Sequence, residues 1–111
     1  MIDNLLNILV SDETPGQITI QLKGEIDQLN TKTVKAELDK RSVQEAQLLI
    51  FDLEEVEFMA SAGLAIFAYY QDLFNKSGQG QKLKVINCNQ GVFRIFHLTR
   101  LDEMLDVSEK V

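Results

Sequence analysis

Two hydrophobic periods alternate along this chain, and they imply an α/β fold. The expected architecture is a small single-domain sandwich, with helices packed against a mixed, mostly parallel sheet of about four strands. Residues 17–24 (QITIQLKG) place Ile18, Ile20 and Leu22 at every second position, the pattern of a strand with one wet face. Residues 48–53 (LLIFDL) form a continuous apolar run that ends in acids, the pattern of a central strand covered on both sides. Helical segments follow each of these runs. Strand–helix–strand units with right-handed crossovers then pair their strands in parallel.

Taken in order, residues 5–10 (LLNILV) are a short apolar strand, and 11–16 (SDETPG) a turn around Pro15 and Gly16. The strand at 17–24 pairs antiparallel with it. Asn30 or Thr31 can cap a surface helix whose Val34 and Leu38 share one face. After the strand at 48–53, an acidic connection leads to a buried helix over 62–76, which Gly78 is placed to end. KLKVIN at 82–87 is a further core strand, followed by a helix carrying Val92, Phe93, Ile95 and Phe96. Thr99 and Asp102 form a weak capping box before a last helix with Leu101, Met104 and Leu105.

The 111 residues suit one domain, 1–111, since domains usually run to about 100–150 residues. A chain this size buries roughly two thirds of its unfolded surface, enough for one apolar core without staples. The lone Cys88 and lone His97 exclude an intramolecular disulfide and a Cys/His zinc site, so no metal is expected. The N-terminus MIDNLLNILVSDE carries an early acid and no basic leader, and its apolar run falls well short of the ~18 residues that span a bilayer. A soluble cytoplasmic protein with no membrane partner is expected.

The net charge of −6 lies entirely in the first half. Residues 1–55 hold five basic side chains against eleven acidic ones, and residues 56–111 hold six of each. Binding to nucleic acid by counterion release needs a basic face, so no nucleic-acid partner is expected. A basic protein partner fits the charge.

Enzyme signatures are absent. Ser61 lies in MASAG, which lacks the glycine that precedes the serine of a nucleophile elbow. His97, in FRIFHLTR, has no orienting acid at a motif-like spacing and reads as a partly buried helix-end residue. Glu54, Glu55 and Glu57 read as solvated acids at a strand end, and the Gly78–Lys82 segment as a plain turn lacking P-loop spacing. No catalytic residue and no cofactor are expected. Ser61 does fall where a strand passes into an apolar helix. A serine there serves as a cap, and a phosphate on it would lie against free N–H groups at the helix start.

Two runs resemble the STAS domain family, and within it the stand-alone anti-sigma factor antagonists. LKGEIDQLN at 22–30 is similar to the family's segment after the second strand. FDLEEVEFMASAGLAIF at 51–67 is similar to its D-L-x-x-V-x-[FY]-[MI]-D-S-[ST]-G-L-[GA] signature. The resemblance implies that Ser61 is the phosphorylated residue and Asp27 the loop acid near it. It also implies a partner-binding set of Asp27, Met59, Ala60, Ser61, Ala62, Gly63 and Leu64. The implied partner is a GHKL-type serine kinase that doubles as an anti-sigma factor. It binds the unphosphorylated antagonist, loses it on phosphorylation, and regains it through a PP2C-type phosphatase. The domain itself catalyses nothing and is expected as a monomer or weak dimer.

The chain departs from the pattern at three places. Ala60 stands where the family usually has Asp, Ala62 where it has Ser or Thr, and Arg100 where glycine is common. Losing both polar neighbours of Ser61 motivates the alternative of a non-switching STAS scaffold subunit. Another alternative is a partner switch whose output is not a sigma factor.

Overall fold

The computed structural model describes residues 7–111; residues 1–6, which include Leu5 and Leu6 of the first apolar run, lie outside the described residues. Five strands form one sheet in the order β1-β2-β3-β4-β5: β1 Asn7–Thr14, β2 Gln17–Ile26, β3 Leu48–Met59, β4 Lys82–Cys88 and β5 Asp106–Glu109. Helices α1 (Thr31–Asp39), α2 (Leu64–Ser77) and α3 (Gln90–Leu98) connect β2 through β5. The first pair is antiparallel, because only Pro15 and Gly16 join its strands, and the other pairs are parallel. The α/β class and the mixed, mostly parallel sheet follow the sequence reading.

Strand order and connection handedness together decide where the core sits. Successive crossovers step in one direction along the sheet, so right-handed connections put every helix on the same face. Burial agrees. Ile20, Leu22, Leu49, Phe51, Leu53, Leu83 and Val85 point inward at alternate positions to meet Val34 and Leu38 of α1, Phe67 and Tyr70 of α2, and Val92 and Phe96 of α3. Leu48 and Ile50 have the opposite parity and are half-buried, so the run at 48–53 is covered on one side rather than two. Phe51 meets Phe67 edge-on at 5.0 Å, and Phe67 meets Phe96 at 5.5 Å; each such pair adds about 0.5–1.5 kcal/mol beyond its buried area.

Three local expectations are corrected. The turn at 11–16 is shorter than read, since β1 runs on to Thr14. The acidic connection after residue 53 is itself strand, as β3 continues to Met59. The last helix is replaced by a 3₁₀ turn, Leu101–Glu103, and the edge strand β5. Its capping box never forms, because both members are engaged elsewhere. The Thr99 hydroxyl donates back to the Ile95 and Phe96 carbonyls, and the Asp102 carboxylate meets His97 Nδ1 at 2.9 Å. Arg100 at φ 63 ends the helical path, and the chain then pairs with β4. Gly78 does end α2, in the left-handed conformation at φ 68.

Helix α1 is tied to α2 by a polar contact at the core margin. The Tyr70 hydroxyl donates to Asp39 Oδ1 at 2.6 Å, and Lys35 Nζ holds the other oxygen at 2.9 Å. Lys35 and then Tyr70 hold the Asp39 carboxyl below its ordinary range, whereas burial and then Asp39 push the Tyr70 phenol up. Cys88 is buried, and burial pushes its thiol up to about 12. No helix among the described residues is long and apolar enough to cross a membrane.

Replacing Tyr70 with Phe removes a charge-assisted bond and should cost about 1 kcal/mol at neutral pH. The lowered Asp39 pKa makes its contribution complete above the unfolded carboxyl value of about 3.9 and lost as pH falls through the folded one. Urea unfolding should therefore show the gap between wild type and variant at pH 7 and its shrinkage below pH ~4.

Candidate functional site

A mismatch in length between two neighbouring strands builds the site. From the pair Gln21–Asp52 to the pair Ile26–Met59, β2 advances five residues and β3 seven, with register shifts after Gln21 and after Gly24. The two surplus residues are extruded from β3 as bulges. Burial accordingly changes from every second residue to every third: Leu53, Val56 and Met59 are buried, while Glu54, Glu55, Glu57 and Phe58 are exposed. Gly24 sits at the second shift with φ 121, a conformation that side-chain-bearing residues rarely adopt.

The opposite edge of this bulged segment has no β4 partner, since β4 pairs with β3 only as far as Asp52. Asn89 takes that role. Its Nδ2 donates to the Val56 and Glu57 carbonyls at 3.1 and 3.3 Å, while its Oδ1 accepts from Val92 N–H at 2.8 Å and caps α3. One side chain thus fixes both the strand edge and the start of the helix.

Beyond Met59 the chain is clamped to the end of β2. Ala60 N–H donates to the Ile26 carbonyl at 2.8 Å, and Gly63 N–H closes a 3₁₀ turn, Ser61–Gly63, on the Ala60 carbonyl at 2.8 Å. A Cβ on Gly63 would fall 2.5 Å from Ile26 Cγ2 and 3.1 Å from Met59 Cγ, so only glycine permits this approach. Ser61 is therefore not a cap. Ala60 occupies the position before the turn, Gly63 the one before α2, and neither offers a side-chain acceptor. The Ser61 hydroxyl is exposed and makes no hydrogen bond among the described residues.

Asp27 follows Ile26 directly, so the 27–30 loop and Ser61 emerge from adjacent strand ends. The loop is closed on itself. Asp27 Oδ1 accepts from Leu29 N–H and Asn30 N–H at 2.9 and 2.8 Å, and Asn30 Oδ1 accepts from Asp27 N–H at 2.9 Å. Asn30 Nδ2 donates to the Glu25 carbonyl at 2.8 Å and the Thr31 hydroxyl to the Asp27 carbonyl at 2.7 Å. Asn30 precedes α1 as expected, but its side chain secures the loop rather than capping the helix.

Of the residues singled out in the sequence, Asp27, Ala60, Ser61 and Ala62 reach the surface at this strand end, wholly or in part. Met59, Gly63 and Leu64 are buried and give the turn its shape without offering contact area. Two residues here were not singled out: Leu29, 91% exposed, and Phe58, 50% exposed. The signal for Leu29 was available, an apolar residue between the turn-forming Asp27 and Asn30. His97 is exposed rather than partly buried, in the last turn of α3, and its partner Asp102 lies in the 3₁₀ turn that follows that helix. The serine has no base beside it, and no cluster of metal-ligating side chains exists among the described residues.

This strand-end serine turn belongs to a known family. The chain is a member of the STAS domain family, whose sequence profile matches residues 9–111. It is 31% identical to the anti-sigma-B factor antagonist of Bacillus subtilis, over 88% of this chain and 87% of that protein. A crystal structure of an anti-sigma factor antagonist from Mycobacterium paratuberculosis is similar at a TM-score of 0.79 and 27% identity, covering 95% of this chain and 86% of that one. The Bacillus antagonist SpoIIAA has been solved in unphosphorylated and phosphorylated forms. They match at TM-scores of 0.74 and 0.67, each over 91% of this chain and 87% and 90% of theirs; at 18% and 17% identity the likeness is one of fold.

Gly63→Ala should cost about 1–3 kcal/mol, because its methyl group must displace Ile26 or Met59 in a packed core. Chemical denaturation checks this. A variant as stable as wild type would show that the approach is not restrictive.

Proposed function

We propose that this protein is a regulatory binding module, an antagonist of an anti-sigma factor, whose partner contact is governed by phosphorylation of Ser61. The observation that carries the reading is the exposed, unbonded Ser61 hydroxyl on a turn whose backbone is clamped beneath it. A kinase can reach such a group without unfolding anything. The named relatives support the antagonist role.

The partner is proposed to be a GHKL-type serine kinase that also serves as the anti-sigma factor, with a PP2C-type phosphatase reversing the modification. A phosphate adds about 1.5–2 negative charges. It would sit at the strand end next to the one from which Asp27 departs, and it would have Ala60 and Ala62 as chain neighbours, neither able to donate a side-chain hydrogen bond. The phosphate then acts at the interface, by its bulk and by its cost of desolvation where it would be buried unpaired, rather than by refolding the domain. Contact is proposed through Asp27, Ala60, Ser61 and Ala62, with Met59, Gly63 and Leu64 acting from below, in a cytoplasmic monomer or weak dimer.

Incubating the protein and ATP with each GHKL-type serine kinase of the same genome, purified singly, should give one phosphate, on Ser61, by peptide mass mapping. Ser61→Asp should lower affinity for that kinase about a hundredfold or more, equivalent to about 2.7 kcal/mol. Its melting temperature should stay within about 3 °C of wild type, as for a surface substitution. Modification at another residue, or equal binding of both forms, would overturn the reading.

A further inference from the structure

Leu29 and Phe58 are large apolar side chains held outward by two unrelated devices. Leu29 is 91% exposed, yet its loop is fixed by both oxygen and nitrogen atoms of Asn30, by Asp27 and by Thr31. Phe58 is 50% exposed because the second bulge of β3 turns it out between buried Val56 and Met59. The backbone that carries this leucine is already ordered, so binding need not order the loop, which favours affinity. The register ties the two together: Phe58 pairs with Glu25, next to the Ile26–Met59 pair from whose ends Leu29 and Ser61 both depart.

Charge surrounds the pair. Lys23 and Lys110 meet Glu55 and Glu54 at 3.7 and 3.2 Å, whereas Glu25, Asp27 and Glu57 have no ion pair among the described residues. Resting on the Ser61 reading above, we infer that Leu29 and Phe58 are the apolar anchors of the partner interface. The partner surface they fit is an apolar pocket with a basic rim. Interface energy concentrates in a few such anchors, while surrounding charges act chiefly on the association rate.

The test measures binding of wild type, Leu29→Ala, Phe58→Ala, Glu57→Gln, Leu98→Ala and Ser61→Asp to the purified GHKL-type kinase that modifies Ser61. Leu98 is the control, 67% exposed at the far end of α3. Leu29→Ala and Phe58→Ala should each weaken binding about tenfold or more, mainly through faster dissociation. Glu57→Gln should slow association and flatten its salt dependence, and Leu98→Ala should bind within about twofold of wild type. Leu29→Ala should melt like wild type; if Phe58→Ala unfolds, Leu29→Ser carries the test with it. If Ser61→Asp loses binding while both alanine variants bind like wild type, the anchors are wrong and the switch stands. If the alanine variants lose binding while Ser61→Asp does not, the anchors stand and the switch falls. A wild type that binds no such kinase overturns both.

Discussion

Two extra residues in β3, pinned at both ends against β2, are the constraint on which the shape of the candidate site depends. The Gln21–Asp52 pair fixes one end, and the Ala60 N–H bond to the Ile26 carbonyl fixes the other. Between them the surplus chain can only bulge. The bulges turn Glu54, Glu55, Glu57 and Phe58 to solvent and deliver Ser61 beside the loop that starts at Asp27. Glycine at 63 lets the turn settle onto Ile26 and Met59, and without that approach the same strand ends would meet in a different register of side chains.

The layer below the turn and the turn itself have different physical characters. Beneath lie Ile26, Val56, Met59, Leu64 and Phe67, all buried and mutually packed. Above lie small or polar groups that the fold does not use: the Ser61 hydroxyl and the Ala62 methyl contribute little to stability. Folding free energy therefore resides in the lower layer. A change of charge at the top would leave that layer untouched, as the regulation proposed for Ser61 needs.

Much of this was legible in the sequence, and the failures have identifiable causes. Period-two alternation located β2, the segment KLKVIN located β4, and the apolar stretch 62–70 located α2, because these patterns depend on a buried face. The extension of β3 through EEVEF was hidden because bulges replace alternation with a spacing of three, which no strand template matches. The last helix failed on Thr99 and Asp102, residues that fit a capping box in isolation but bond to Ile95, Phe96 and His97 once α3 is formed. Ser61 was located correctly as the strand-to-helix junction, and its capping role failed because the helix begins three residues later, behind a 3₁₀ turn. The burial of Met59, Gly63 and Leu64 likewise needed the register of β2 against β3, a non-local fact.

The strand order has a consequence for how the chain reaches this state. Every strand pairs with its immediate predecessor in sequence, from β1 to β5. No strand must hold an open edge for a partner made later than the next, so the sheet can grow in the direction of synthesis, each helix closing over the strand just added. Such near-neighbour pairing avoids the largest loop-closure costs. The strand end that carries Ser61 then takes shape when β3 docks on β2, and Asn89 secures its other edge once β4 has followed.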